Sequence, residues 1–144
     1  MNDFSIEKEF DGPVIGIDEV GRGPLAGPVV SCGCYFKDYK FINNNKTFIN
    51  DSKKFSTKKR LIAFDYLKQL KKEKILDYRL GLATVNEIDE INILNATKLS
   101  MIRAIEKFQL TNPTLIIDGN FNLNYKNYKE KSIIKGDQIS ISIA

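Results

Sequence analysis

Apolar and polar positions divide the chain into a short series of elements. Residues 14–20 (VIGIDEV) are rich in β-branched side chains and close on Gly21, which predicts a first strand. Glycine and proline crowd residues 21–28 (GRGPLAGP), a turn segment, and residues 29–36 (VVSCGCYF) predict a second strand with small, closely packing side chains. Residues 37–50, with Asn43, Asn44 and Asn45, predict a polar loop. Ser56 suits the N-cap of a helix running to about Lys72, with Leu61, Phe64, Leu67 and Leu70 at three-residue intervals on one side. Residues 75–84 (ILDYRLGLAT) predict a third strand. From about Asn86 to Phe108 a second helix is expected, because Ile88, Ile91, Leu94, Leu99, Ile102, Ile105 and Phe108 follow helical spacing as far as Asn112-Pro113. Residues 114–118 (TLIID) predict a short buried strand closed by Gly119-Asn120, residues 132–135 one more strand, and residues 140–144 the start of another element. The order β-β-α-β-α-β-β gives a single α/β or α+β domain over residues 1–144, its sheet covered by helices.

One count changes the picture most: there is no histidine. That excludes Ser-His-Asp and Cys-His nucleophilic machinery, histidine acid–base chemistry and the usual zinc sites. The two cysteines, Cys32 and Cys34, are too close for an unstrained bridge; they share one strand face and read as small core fillers. A reducing cytoplasm is the expected location. No apolar run approaches a membrane span, and Met1-Asn2-Asp3-Phe4 does not begin a secretory signal. Net charge is +4, yet residues 51–74 alone carry 9 basic against 3 acidic side chains. Such a stripe attracts a polyanion or forms a solvated helix face, and charge alone leaves both open.

Chemistry near neutral pH then falls to carboxylates with a hard cation. Asp18 and Glu19 interrupt the tail of one apolar strand and precede Gly21-Arg22-Gly23; Asp118 ends another and precedes Gly119-Asn120. Carboxylates at strand ends beside glycine turns are where α/β folds collect their sites, and several facing one point favour Mg²⁺ or Mn²⁺ between them. Acidic residues can also simply mark where strands leave the core. The glycines Gly21, Gly23 and Gly27 fit neither a dinucleotide fingerprint, since a strand follows, nor a P-loop. A backbone turn that offers N–H groups to a sugar or phosphate suits them, and so does a plain strand connection.

In order along the chain, residues 15–30 (IGIDEVGRGPLAGPVV), 51–56 (DSKKFS), 87–97 (EIDEINILNAT), 116–120 (IIDGN), and Lys135-Gly136-Asp137 with Ser140, Ser142 and Ala144 resemble the five sequence blocks of the bacterial ribonuclease HII family. The resemblance covers nearly the whole chain. It implies a ribonuclease H-like α/β fold, a mixed sheet with flanking helices. It also implies an endoribonuclease that cuts the RNA strand of RNA–DNA hybrids and single ribonucleotides embedded in DNA, by two-metal hydrolysis leaving 5′-phosphate and 3′-hydroxyl ends. Asp18, Glu19 and Asp118 carry over as catalytic residues and ligands of Mg²⁺ or Mn²⁺. Gly21, Arg22 and Gly23 match the segment that reads the ribose 2′-hydroxyl, and Ser52 and Lys53 match positions close to the nucleic-acid backbone. The expected partner is a hybrid or ribonucleotide-containing DNA, with no membrane, and a complete chain is expected to be a monomer.

The resemblance also implies a fourth acidic ligand on a helix that family members build beyond the last block. Asp137 matches a different position, so the chain is expected to be truncated, with its C-terminal helices missing and part of a sheet face left exposed. A catalytically impaired fragment that only binds nucleic acid is the alternative expectation. Phe121, Tyr125 and Tyr128 are expected to pack in a surface loop rather than stack on bases.

Overall fold

A computed structural model describes residues 6–10, 12–20, 27–37 and 57–133. It contains a five-stranded mixed sheet of β1 (Val14–Val20), β2 (Val29–Phe36), β3 (Leu76–Ala83), β4 (Thr114–Asp118) and β5 (Glu130–Ile133), with helices α1 (Thr57–Lys72) and α2 (Val85–Ile105). The strands lie in the order β3-β2-β1-β4-β5. β1 pairs antiparallel with β2, and β2 with β3, while β1–β4 and β4–β5 are parallel. A short 3-10 turn at Glu7–Glu9 leads into β1.

Alternation along the strands sorts the core onto two faces. On one face Ile15, Ile17, Leu115 and Ile117 pack with Met101 and Ile105 of α2. Close approach of that helix depends on Gly81 of β3, where any Cβ would run into the backbone of Ser100 and Ala104. Ser31 of β2 and Ser100 of α2, both buried, pair hydroxyl to hydroxyl at 2.5 Å. On the opposite face Leu70 of α1 meets Phe36 and Leu76, and Val14 and Ile116 pack with Ile6 of the 3-10 turn. Cys34 packs against the Leu70 cluster and Cys32 is half-buried, in keeping with small fillers of that face.

β1, β2 and β4 have the expected bounds and β3 is one residue shorter at each end; three other elements differ further. α1 buries Leu70 and half-buries Leu67, but Leu61 and Phe64 are 62% and 49% exposed. Among the described residues the helix meets the sheet through its C-terminal turns, where its apolar seam is covered. β5 starts at Glu130, two residues earlier than expected, because parallel pairing with β4 runs from Leu115–Glu130 to Asp118–Ile133. α2 starts at Val85, ends at Ile105 and breaks at Asn92, whose backbone (φ 70°, ψ 170°) is not helical. Two arms, residues 85–91 and 93–105, meet there. Each start has its own cap. Thr84 and Glu87 form a reciprocal capping box on the first arm, and the Asn92 side chain accepts a hydrogen bond from the Asn95 amide at 3.0 Å on the second.

The break lets the arms fold back on each other, so that Arg103 reaches Glu87, sixteen residues earlier, at 2.6 Å. Arg103 also donates to the Leu82 carbonyl, and Lys107 to that of Leu80. Both carbonyls belong to β3, an edge strand, so these cations satisfy main-chain acceptors that pairing leaves over. On the sheet face away from α2, Leu80 and Leu82 are 50% and 43% exposed.

Candidate active site

Asp18 and Glu19 lie near the end of β1, just before its final residue Val20, and Asp118 is the final residue of β4. The parallel register pairs Ile17 with Ile117 as its last step, which brings Asp18 and Asp118 side by side at the same end of the two central strands. Neighbouring strands lie about 5 Å apart, within reach of a shared cation. Ile17 and Ile117 face α2, so alternation turns Asp18 and Asp118 to the opposite face. Glu19 is turned towards the α2 face, directly across from Ser31 and its hydroxyl pair with Ser100. All three carboxylates are half-buried.

Asp18 acts on its cross-strand neighbour. Its cross-strand partner is Cys32. Burial first, and then the Asp18 carboxylate, push the Cys32 thiol up to about 11, against a smaller opposing pull from Lys71. The Cys34 thiol is also raised, chiefly by burial. Both therefore stay protonated near neutral pH, which removes thiolate nucleophiles from this face. Negative charge from Asp18 thus acts across the sheet surface where Asp118 also lies.

An all-oxygen pair of carboxylates on one face fits Mg²⁺ or Mn²⁺, hard cations that take one or two protein carboxylates and complete their shells with water and substrate phosphate. Among the described residues, no three His, Cys, Asp or Glu side chains close on one point. Asp18 and Asp118 are thus brought together, and Glu19 sits beside them on the other side of the sheet. Gly21, Arg22, Gly23, Ser52, Lys53 and Asp137 lie outside the described residues.

The turn after Asp118 has features that patterning does not reveal. Gly119 has a φ of 152°, and a Cβ there would sit 2.7 Å from the Phe121 ring. The ring is partly buried against the Ile117–Met101 cluster, and Lys98 of α2 holds its ammonium 5.6 Å from the ring centroid. Tyr125 and Tyr128, packed edge to face at 5.5 Å, join the same cluster, as expected for loop packing. With Ile105, Phe108, Leu110 and Pro113 they line a cleft of about 350 Å³ at the opposite end of β4 from Asp118. Glu130 accepts hydrogen bonds from the Leu123 and Asn124 amides at 2.6 and 2.7 Å and so anchors this loop.

The family model for ribonuclease HII matches residues 15–144. A ribonuclease HII of Wolbachia pipientis from Culex pipiens is 43% identical over 142 residues, which is 99% of this chain and 68% of that protein. Among solved structures, ribonuclease H2 from Pyrococcus horikoshii superposes with a TM-score of 0.67 at 24% identity, over 87% of this chain and 64% of that one. Bst ribonuclease HIII in complex with Mn²⁺ superposes with a TM-score of 0.61 at 16% identity, over 91% of this chain and 48% of that one. The chain therefore spans between about half and two thirds of the length of these proteins. The two superpositions share the mixed five-stranded sheet and its flanking helices.

Proposed function

Since the chain belongs to the ribonuclease HII family, we propose that it is an endoribonuclease acting on RNA–DNA hybrids and on ribonucleotides embedded in DNA. The observation that carries this reading is the alignment of Asp18 with Asp118 at the ends of the two central parallel strands, with Glu19 next in the chain. Two carboxylates so close repel each other, and a divalent cation between them relieves that repulsion. Asp18 and Asp118 hold the cation and Glu19 extends the negative site towards α2. When bound, Mg²⁺ or Mn²⁺ supplies Lewis-acid polarisation of a phosphodiester and a water made acidic near neutral pH. The protein supplies the rest. The sheet fixes the carboxylates at strand ends, and the hydroxyl pair of Ser31 and Ser100 locks α2 beside Glu19.

Gly21, Arg22 and Gly23 read the ribose 2′-hydroxyl, the one group that separates a ribonucleotide from its DNA neighbours. Ser52 and Lys53 hold the backbone, which positions the duplex without reading sequence. The basic stretch around them accounts for the net positive charge and favours a polyanionic partner. As a complete chain it acts as a monomer in the cytoplasm. Among the described residues no helix is long and apolar enough to cross a membrane.

The test is cleavage of a labelled duplex with one ribonucleotide in DNA, with Mg²⁺ or Mn²⁺ against chelator. Cleavage is expected with either cation and not with chelator, and Asp18→Asn or Asp118→Asn abolishes it while hybrid binding persists. Normal cleavage by Asp18→Asn would sink the assignment. A second reading, binding without cleavage, is favoured by the lack of a three-carboxylate group among the described residues. It predicts tight, metal-independent binding and no product with any cation.

A further inference from the structure

We propose that Lys98 is a positioning residue that holds a backbone phosphate of the bound duplex beside the carboxylate site. The inference rests on the reading above. Lys98 lies on the second arm of α2, on the sheet face towards which Glu19 turns. Its ammonium stands over the Phe121 ring, and that ring packs against Gly119, the residue directly after Asp118. One ring therefore separates the cation from the turn that carries Asp118.

Other described cations have structural tasks of their own. Arg103 is committed to Glu87 and the Leu82 carbonyl, Lys107 to the Leu80 carbonyl, and Lys71 to Asp77 and the Tyr78 carbonyl. Lys98, among the described residues, ion-pairs with no carboxylate; the ring face is what holds it. A cation on an aromatic face keeps its N–H donors for an acceptor on the far side, while the ring restricts the swing of a long side chain. An ammonium held in this way on a half-buried residue at the carboxylate end of the sheet suits an anion, and in a duplex the available anion is phosphate. Gly119 is what makes the arrangement possible, because any side chain there would displace the ring that carries the cation.

The experiment measures binding of a fluorescent RNA–DNA hybrid in chelator across a salt series, with the wild-type chain, Lys98→Gln and Lys98→Arg. Each phosphate neutralised contributes about 0.9 to the slope of log affinity against log salt, so between 50 and 200 mM the wild type should lose roughly 3.5-fold more affinity than Lys98→Gln. Lys98→Arg keeps the charge and should keep the wild-type slope, and circular dichroism melting shows whether each variant is folded. An unchanged slope in Lys98→Gln, with the wild type binding normally, overturns the inference alone. So does a variant whose only change is the divalent concentration needed for half-maximal cleavage, since that places Lys98 on the carboxylates. A wild-type chain that binds no hybrid overturns both the inference and the function it rests on.

Discussion

Gly81→Ala tests the packing that sets α2 over the site. A Cβ at this position meets the Ser100 carbonyl oxygen and the Ala104 nitrogen well inside contact distance, with the Arg103 carbonyl carbon at 3.0 Å. All three are helix backbone, which cannot rotate away, so the helix must lift as a body or the strand must bend. Overpacking against side chains costs about 1–3 kcal/mol, and a rigid obstacle belongs at or above the top of that range. For a chain of this size about 3 kcal/mol corresponds to a fall of roughly 10 °C in Tm. Gly33→Ala provides the contrast, because its nearest neighbours are the tip of the Phe108 ring at 3.0 Å and an Ile15 methyl at 3.3 Å. Both can yield by a small rotation, and a cost of about 1 kcal/mol or less is expected. Thermal unfolding followed by circular dichroism measures both variants. Lifting α2 also parts Ser100 from Ser31 and shifts Lys98, so Gly81→Ala should weaken hybrid cleavage at temperatures where it is still folded. A Gly81→Ala protein that melts within 2 °C of wild type would refute the close-approach argument.

Two further perturbations probe α2. At Asn92 the left-handed φ and extended ψ fall in a region that glycine tolerates and other residues enter at a cost, so Asn92→Ala, which also loses the cap on Asn95, should destabilise by about 1–2 kcal/mol in urea unfolding. Asn92→Gly trades the cap for relief of strain and should stay within about 0.5 kcal/mol of wild type; a glycine variant less stable than the alanine one would contradict this account. The Glu87 carboxyl is held down to about 2, first by its hydrogen bond with Arg103 and then by the Thr84 amide. A depressed carboxylate stabilises the fold above its ordinary value near 4.5 and loses that contribution as pH falls towards 2, so acid unfolding of Glu87→Gln should lack this part of the pH dependence. An unchanged acid limb would show that the Arg103 pair has no such effect.

The strands that need only local information are readable to the residue. Val14–Val20, Val29–Phe36 and Thr114–Asp118 are apolar runs bounded by glycine, proline or charge, and those breakers set their ends. The fold of α2 is not readable in the same way. Its apolar spacing from Ile88 through Ile91 to Leu94 runs straight across Asn92, and periodicity has no signal for a residue that ends one arm and caps the next. The Thr84-x-x-Glu87 box is a legible start signal and marks the helix from Val85, one residue before the start that apolar spacing suggests. In α1 the seam of Leu61, Phe64, Leu67 and Leu70 gives the helix correctly, but how much of it meets the sheet depends on where the helix axis crosses β3, a tertiary fact.

The sequence marks the carboxylates as strand-end acids beside glycine turns, but not how they meet. Asp18 and Asp118 are a hundred residues apart, and what unites them is the parallel register of β1 with β4, in which a slip of one residue would turn one of them to the other face. The same alternation sets a limit on Glu19. Adjacent residues of a strand point to opposite faces, so Asp18 and Glu19 can serve one cation only past the strand end, where the sheet no longer separates them. β1 stays paired with β2 as far as Val20, so Asp18 shares a face with Asp118 while Glu19 is held on the other. Lys98 stands on the Glu19 side of the sheet, over the Phe121 ring that packs on the Gly119 turn. Periodicity counts Lys98 as a polar position of a helix; its value comes from what Asp118, Gly119 and Phe121 bring beneath it, which only the folded chain assembles.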